Sequence, residues 1–302
     1  MDYEVYIDGK KVTASIEDIQ VSDRQGSQSD DIRLIIVNDE TQEIKEGSTL
    51  SCSFSGFSSG KMNVDTIVSD TTTTRIEAIS APLSAKEKHT RHWLKVRFLD
   101  IVNDVAKGVG LSVYYKGVNN WYYENVTQYE ETDLSFLNRL CIRENYSLKI
   151  DDGRIVIFDI SVLEKASSVL KISGVGDVIN NSISFSINPN KIKAVTVKYF
   201  GDRLISYTSK RNVMGEKKTI TEYVASAAEA ERFSKNYLST YAQNDTMVRC
   251  TIPINSGIAA GNCIDIENFG MYDGKYSICE CSHDPEKECT RLIGRRINGS
   301  TT

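Results

Sequence analysis

Apolar and polar residues alternate in short runs along most of the chain, which is the period of half-buried strands. Tyr3, Val5 and Ile7 alternate with polar neighbours and run into an Asp8-Gly9 turn. Ile32, Leu34 and Ile36 repeat the pattern, and further strands are predicted at Thr49–Phe54, Lys61–Val68 and Thr74–Ile79. From about 85 to 170 the period changes. Phe98, Ile101, Val102, Val105 and Ala106 share one helical face, with Gly108 or Gly110 as the stop. Leu111–Tyr115 reads as a strand. Thr132 caps a second helix that carries Leu134, Leu137, Leu140 and Cys141 on one side, Phe136 beside them, and ends at Asn145. Tyr146–Ile150 and Arg154–Phe158 flank an Asp151-Asp152-Gly153 hairpin turn.

Alternation returns near 191, at Val195, Val197 and Tyr199. Ser226 and Glu229 then form a capping box, opening a helix with Ala230, Phe233, Tyr237, Leu238 and Tyr241 on one stripe. Val248, Cys250, Ile252 and Ile254 alternate, and strands follow near 262–268, 275–283 and 289–296. The expected fold class is β-rich α+β, with two similar small β-barrel domains flanking an inserted α+β module. The expected boundaries are 1–84 for the first barrel, 85–170 for the module, 171–190 for a connecting segment, and 191–302 for the second barrel with its helix at 227–242.

The similarity of the barrels rests on an internal repeat. Gly47-Ser-Thr-Leu-Ser-Cys-Ser-Phe leads to Gly60-Lys61 and then Thr74-Arg75-Ile76. Gly261-Asn-Cys-Ile-Asp-Ile-Glu leads to Gly274-Lys275 and then Thr290-Arg291-Leu292. The glycine-to-glycine interval is 13 in both copies, and the copies lie 214 residues apart. The lysine-to-arginine interval is 14 in one and 16 in the other, the difference expected of one longer hairpin turn. Three copies of a chain with two like barrels would place six like units in a ring.

Composition narrows the class. With 302 residues and 40% hydrophobic content, the chain supports two or three cores. No run of 18 apolar residues is present, so no membrane-spanning helix is expected. Met1-Asp2-Tyr3-Glu4 has neither a basic start nor an apolar stretch, so no secretory signal is expected and folding belongs in a reducing cytosol. Seven irregularly spaced cysteines make a poor disulfide framework. A net charge of −5 argues against a surface that grips nucleic acid, although it suits a passage that nucleic acid must cross without sticking.

Candidate chemistry is sparse. Gly56-Phe57-Ser58-Ser59-Gly60 matches G-x-S-x-G, but a strand rather than a helix is predicted after it, so it reads as a hairpin loop. Cys279, Cys281 and His283 fall on one face of a strand, with Cys289 on the next and Cys263 on a neighbour. These are zinc-ligating types, yet side chains at i, i+2 and i+4 of an extended strand diverge, so the cysteines read as core fillers and His283 as a satisfied strand-end residue. His89 and His92 have no acidic partner nearby in sequence and read as a solvated linker. Gly174-Val175-Gly176 lacks the third glycine of a dinucleotide loop. Trp121-Tyr122-Tyr123, with Tyr114-Tyr115, would make a sugar-stacking platform, and reads more readily as a half-buried strand or an interface anchor. Asn125-Val126-Thr127 is a glycosylation acceptor only in a secreted chain. No cofactor is expected.

Thr132-Asp133-Leu134-Ser135-Phe136-Leu137-Asn138-Arg139-Leu140 resembles the Ser-Asp-Leu-x-Phe-Leu-x-Arg-Leu helix of the late control D family of contractile phage tails. Related hub proteins occur in phage-like bacteriocins and in the hub portion of the type VI secretion spike. Tyr146–Phe158 resembles that family's next hairpin. Tyr272-Asp273-Gly274-Lys275-Tyr276, followed by Ser282-His283, resembles its Asp-Gly-x-Tyr strand and terminal histidine, and Phe98–Val113 resembles its earlier helix and strand. The resemblance implies a non-enzymatic homotrimer: a baseplate hub with a pseudo-six-fold ring and a central channel, adapting a hexameric tail tube protein to a trimeric spike. Ending at Thr302, the chain is expected to use a separate spike protein. Baseplate wedge proteins, and a tape measure protein in the channel, are the other implied partners; a membrane or a specific nucleic-acid sequence is not. Assembly would occur in the bacterial cytoplasm, and the product would reside in a virion tail or a phage-tail-like particle. The alternatives are a receptor- or carbohydrate-binding tail protein and a cell-wall hydrolase hub. Asn145-Tyr146 departs from the family's usual glycine at that helix end.

Overall fold

Among the described residues three apolar clusters organise the fold, and strand pairing shows how they connect. The structure is a computed structural model and describes residues 1–26, 29–38 and 44–297. In the first part, β1 (Tyr3–Ile7), β2 (Lys10–Lys11), β3 (Ile16–Arg24), β4 (Asp31–Val37), β5 (Thr49–Phe54), β6 (Phe57–Ser58), β7 (Met62–Ser69) and β8 (Thr73–Ile79) enclose one core. Alternate residues point inward, as the pleat requires: Ile32, Leu34 and Ile36 from β4, and Leu50, Cys52 and Phe54 from β5, are buried.

The middle of the chain forms β9 (Lys88–Arg97), α1 (Phe98–Gly108), β10 (Ser112–Lys116), β11 (Tyr122–Thr132), α2 (Asp133–Glu144), β12 (Tyr146–Asp151), β13 (Arg154–Asp159) and α3 (Ile160–Lys165). Both expected helices are present. The Thr132 hydroxyl accepts from the Ser135 N–H at 3.3 Å, capping α2. Asn145 closes the helix in the left-handed conformation, at φ 60° and ψ 39°. Asparagine tolerates that geometry, so it performs the glycine's task at this helix end.

After β14 (Ser168–Ile172) and β15 (Ile183–Ile187), the chain makes β16 (Ile192–Phe200), β17 (Leu204–Lys210), β18 (Glu216–Thr221) and α4 (Ala227–Ala242). It ends in β19 (Thr246–Pro253), β20 (Cys263–Ile266), β21 (Gly274–Asp284) and β22 (Cys289–Arg296). The expected cap is present on α4, with the return bond shifted by one residue. The Ser226 hydroxyl accepts from Glu229 N–H at 3.2 Å, and Glu229 reaches back to the N–H of Ala225 at 2.7 Å.

Pairing and packing divide the chain differently from the expected 85–170, 171–190 and 191–302. β16–β18 form their own three-stranded sheet. Val195, Val197, Phe233 and Tyr237 pack into the same core as Phe98, Phe136, Leu137 and Leu140 of the middle segment. The second β unit is built instead from β14 and β15, inside the expected module and connector, together with β19–β22. Alternation reveals that one face of a strand is buried but not which neighbour covers it. The last residues of the expected second barrel, 298–302, lie outside the described residues.

The fold is β-rich α+β, and its two β units are joined. All of β1–β8, β14, β15 and β19–β22 belong to one 14-stranded sheet, continuous where β21 pairs antiparallel with β3. The partners are Glu280 with Arg24, Cys281 with Asp23, Ser282 with Ser22, and His283 with Val21. Among the described residues no helix is long and apolar enough to cross a membrane.

The middle module is pinned to this joint by a buried charge cluster. Lys149 Nζ on β12 lies 2.5 Å from Asp23 and 3.4 Å from Asp30. The second Asp23 oxygen accepts the N–H of Ala260 from the second unit at 3.0 Å, and Asp30 accepts the N–H of Arg24 at 2.8 Å. Burial, then the neighbouring Asp23 charge, push the Asp30 carboxyl up to about 7, against the opposing pull of Lys149.

Lys149→Ala leaves two buried carboxyl groups without their cation and is expected to cost about 3–5 kcal/mol, read as a lower urea midpoint. The second prediction concerns proton linkage. Asp30 in the folded chain keeps its proton up to about 7 against a reference of 3.8. The folded state therefore binds more protons than the unfolded one across that window, and this group's contribution to stability falls as pH rises through it. Asp30→Asn removes the dependence. The stability of the variant relative to the parent should rise between about pH 4 and pH 7; a constant difference would contradict the assignment.

Candidate assembly surface

The repeat is a repeat of topology. The first unit connects its six main strands in the order β3-β4-β8-β7-β5-β1, and the second in the order β15-β19-β22-β21-β20-β14. Taken in chain order, each strand of one unit has its counterpart in the other with the same pairing partners. The single difference of direction is that β1 runs antiparallel to β5 while β14 runs parallel to β20. β14 follows α3 of the middle module, and so enters its unit by another route than the chain's first strand.

The correspondence reaches individual hydrogen bonds. Gly47 N–H donates to Val64 O at 2.9 Å, and Gly261 N–H donates to Ile278 O at 2.8 Å. Val64 N–H donates to Ser48 O, and Ile278 N–H to Asn262 O, at 2.8 and 2.9 Å. Gly47 and Gly261 both hold positive φ, 82° and 92°, which a side chain would strain. Each long hairpin carries a bulge at the same place, Asp65 in β7 and Cys279 in β21.

The outward face is polar and also repeats. Arg33 and Arg249 hold equivalent places on β4 and β19, as do Arg75 and Arg291 on β8 and β22. One groove on this face is lined by Gln20 and Arg33 of the first unit and by Ser182, Ser184, Arg249, Thr251 and Arg291 of the second. The polar face is therefore concave at this groove, which crosses the joint.

The residues singled out from sequence act in packing and capping. Asp133 is buried at the start of α2, where its carboxylate accepts from Gln128 Nε2 at 2.9 Å and lies 3.2 Å from Arg91. Leu134 packs against the core formed by Phe136, Leu137 and Leu140, and Phe136 stacks on Trp93 at 5.1 Å. Asp273 accepts the N–H of Phe269 at 2.7 Å, Gly274 stands at φ 140°, and the buried Tyr276 hydroxyl donates to Tyr272 O at 2.8 Å. These contacts shape the turn into β21.

His283 has a different place. It belongs to the second unit, yet its ring lies 5.5 Å from Phe54 and 5.0 Å from Phe57 of the first. Its ring nitrogens contact Thr290 Oγ1 at 3.0 Å and Cys281 Sγ at 3.4 Å. Burial pushes the imidazole down from its usual value and the Cys281 thiol up, so the neutral forms are favoured. Cys279 sits at the bulge and Cys289 at the start of β22. Among the described residues no group of three or more His, Cys, Asp or Glu side chains could hold a metal ion.

Other motifs resolve similarly. After Gly56–Gly60 comes strand β7, so Ser58 does not stand at a helix start. His89 and His92 lie on β9 and not in a linker. His92 Nε2 is 2.8 Å from Asn125 Oδ1, and His89 is 3.8 Å from Asp133, an acidic partner distant in sequence. The aromatic run is split: Tyr123 is buried and donates to Glu144 at 2.6 Å, Trp121 lies under Arg232, and Tyr122 faces outward. Sequence reading missed β3, whose alternation is broken by a bulge between Ile16 and Asp18. It also missed β15, although Ile183-Ser-Phe-Ser-Ile alternates cleanly.

No protein-family profile and no curated protein matches the sequence. Solved structures do. The 43 kDa tail protein of prophage MuSo2 from Shewanella oneidensis is similar over 98% of both chains, with a TM-score of 0.76 at 15% identity. The tail protein from Neisseria meningitidis MC58 is similar over 98% of this chain and 97% of its own, with a TM-score of 0.78 at 14% identity. The chain has the fold of phage tail proteins. An Escherichia coli component of the type VI secretion system, described as similar to the T4 bacteriophage tail proteins gp27 and gp5, aligns over 98% of this chain and 77% of its own. Its TM-score is 0.62 at 10% identity. In this tail-protein fold, the Phe54–His283 contact ties the two units together. Phe54→Ala is expected to lower stability by about 3–5 kcal/mol, measured by chemical denaturation.

Proposed function

We propose that the chain is a structural, non-enzymatic baseplate hub of a contractile injection particle, and that it works as a trimer. Three copies place six β units of one topology around an axis. The ring then offers a near-six-fold face to the hexameric tail tube protein, while the chain as a whole keeps the three-fold symmetry of a separate spike protein. The middle module, with β16–β18 and α4, has its own sheets outside the shared one and is the part suited to baseplate wedge proteins. The concave polar face, with its repeated arginines, lines the channel through which a tape measure protein would pass. The observation that carries this reading is the matched connectivity and hydrogen bonding of the two units.

The spike and tail assembly partners are supported by the tail and secretion proteins whose fold the chain shares. Measurement of the mass of the purified chain in solution, by light scattering across a concentration series, tests the reading. The expected mass is three times 33.8 kDa. A particle that stays at one chain, or stops at two, at every concentration would contradict it.

A further inference from the structure

The internal joint has a counterpart that no described strand pairs with. In the second unit, the edge of β21 is used twice. Its first part, Gly274–Ile278, includes the pairing of Gly274–Ser277 with β20, and its later part, Glu280–His283, pairs on the same edge with β3. In the first unit, the equivalent strand β7 pairs with β5 only at Met62 and Asn63. The later part of that edge, Thr66–Ser69, meets no described strand. At the terminus of the sheet in the second unit β15, the equivalent of β3, pairs with β19 alone among the described strands.

Exposure follows this difference. Val68 is 59% exposed, whereas its equivalent Ser282 is 4% exposed. Ile187 is 40% exposed, whereas its equivalent Asp23 is 7% exposed. Two strand edges that bear apolar residues and are unpaired among the described strands, one in each unit, are surfaces that require cover.

We infer that β7 of one copy pairs antiparallel with β15 of a second copy, in the register of the β3–β21 joint. The inference rests on the trimeric reading above and assigns its interface. Transferring the register sets Thr66 opposite Asn188, Ile67 opposite Ile187, Val68 opposite Ser186, and Ser69 opposite Phe185. The Ile67–Ile187 pair brings two apolar side chains together, a favourable cross-strand contact. Pro189 stands where Gln25 donates its N–H to Cys279 O within the chain, so the new ladder ends at Asn188. The interface joins unlike edges of the two copies. Repetition of such a contact does not stop at a two-fold pair, and with the three-fold rotation of the trimeric reading it closes a ring.

The hydroxyls of Ser22 and Ser282 lie 3.1 Å apart across the internal joint, so the paired side chains face each other there. Val68→Cys with Ser186→Cys places two thiols at the equivalent positions between copies. Oxidation of the full-length double variant with diamide is expected to convert most of the chain into a covalent trimer, which collapses to monomer on reduction. Each single variant should give no more cross-linking than the parent with its native cysteines. A trimer by light scattering that fails to cross-link would overturn the register and leave the trimeric reading standing. A chain that is monomeric throughout would overturn both. As a second arm, Ile67→Lys is expected to dissociate the trimer while the circular dichroism spectrum is kept, and Ile67→Lys with Ile187→Glu to restore it. A trimer unaffected by Ile67→Lys, or not restored by the pair, would also overturn the assignment.

Discussion

Pairing of β3 with β21 is the constraint from which the rest of the structure follows. Those four residue pairs turn two small sheets into one, and they fix the angle and offset between two units of the same topology. Backbone hydrogen bonds supply the geometry. Side chains supply the selectivity: His283 packs on Phe54 and Phe57, and the Ser22 and Ser282 hydroxyls meet. A slip by one residue would turn His283 to the opposite face and separate these partners, so the register is strongly specified.

The same joint anchors the middle module. Lys149 comes from β12, Asp23 and Asp30 from the first unit, and the Ala260 N–H from the second. A buried cluster of this kind seldom adds much net stability, because desolvation of the charges offsets their attraction. Its effect is selective: it tolerates only the arrangement in which all three parts meet. A second polar cluster lies within the module, where Glu144 accepts from Tyr123 and pairs with Arg232 while Arg143 lies over Tyr123 and Phe233. That cluster ties α2 to α4 and accounts for 191–242 folding with the module and not with the second β unit.

Much of the fold was legible in the sequence. The alternation at Ile32–Ile36 and Val248–Ile252, the caps at Thr132 and Ser226, and the paired glycines near 47 and 261 all express local rules. The glycine spacing carried further than strand prediction did, because Gly47 and Gly261 make the same hydrogen bond in each unit. What sequence could not give was long-range choice of partner. β16 alternates as well as any barrel strand, yet it packs elsewhere. A bulge hides β3, and β14 and β15 fall in the expected module and connecting segment because they lie far along the chain from the strands they join. His283 was singled out, but its role needed the first unit's aromatic rings, more than two hundred residues away in the chain.

The central claim is that the two units are related by a rotation that three copies can complete, so that three-fold assembly presents six-fold order. The direct measurement is an electron-microscopy reconstruction of the assembled chain with no symmetry imposed. The account predicts three chains and six β units at steps of about 60° around one axis, with the polar concave face turned inward. Three chains whose first and second units lie at different radii, or with their polar faces turned outward, would contradict it.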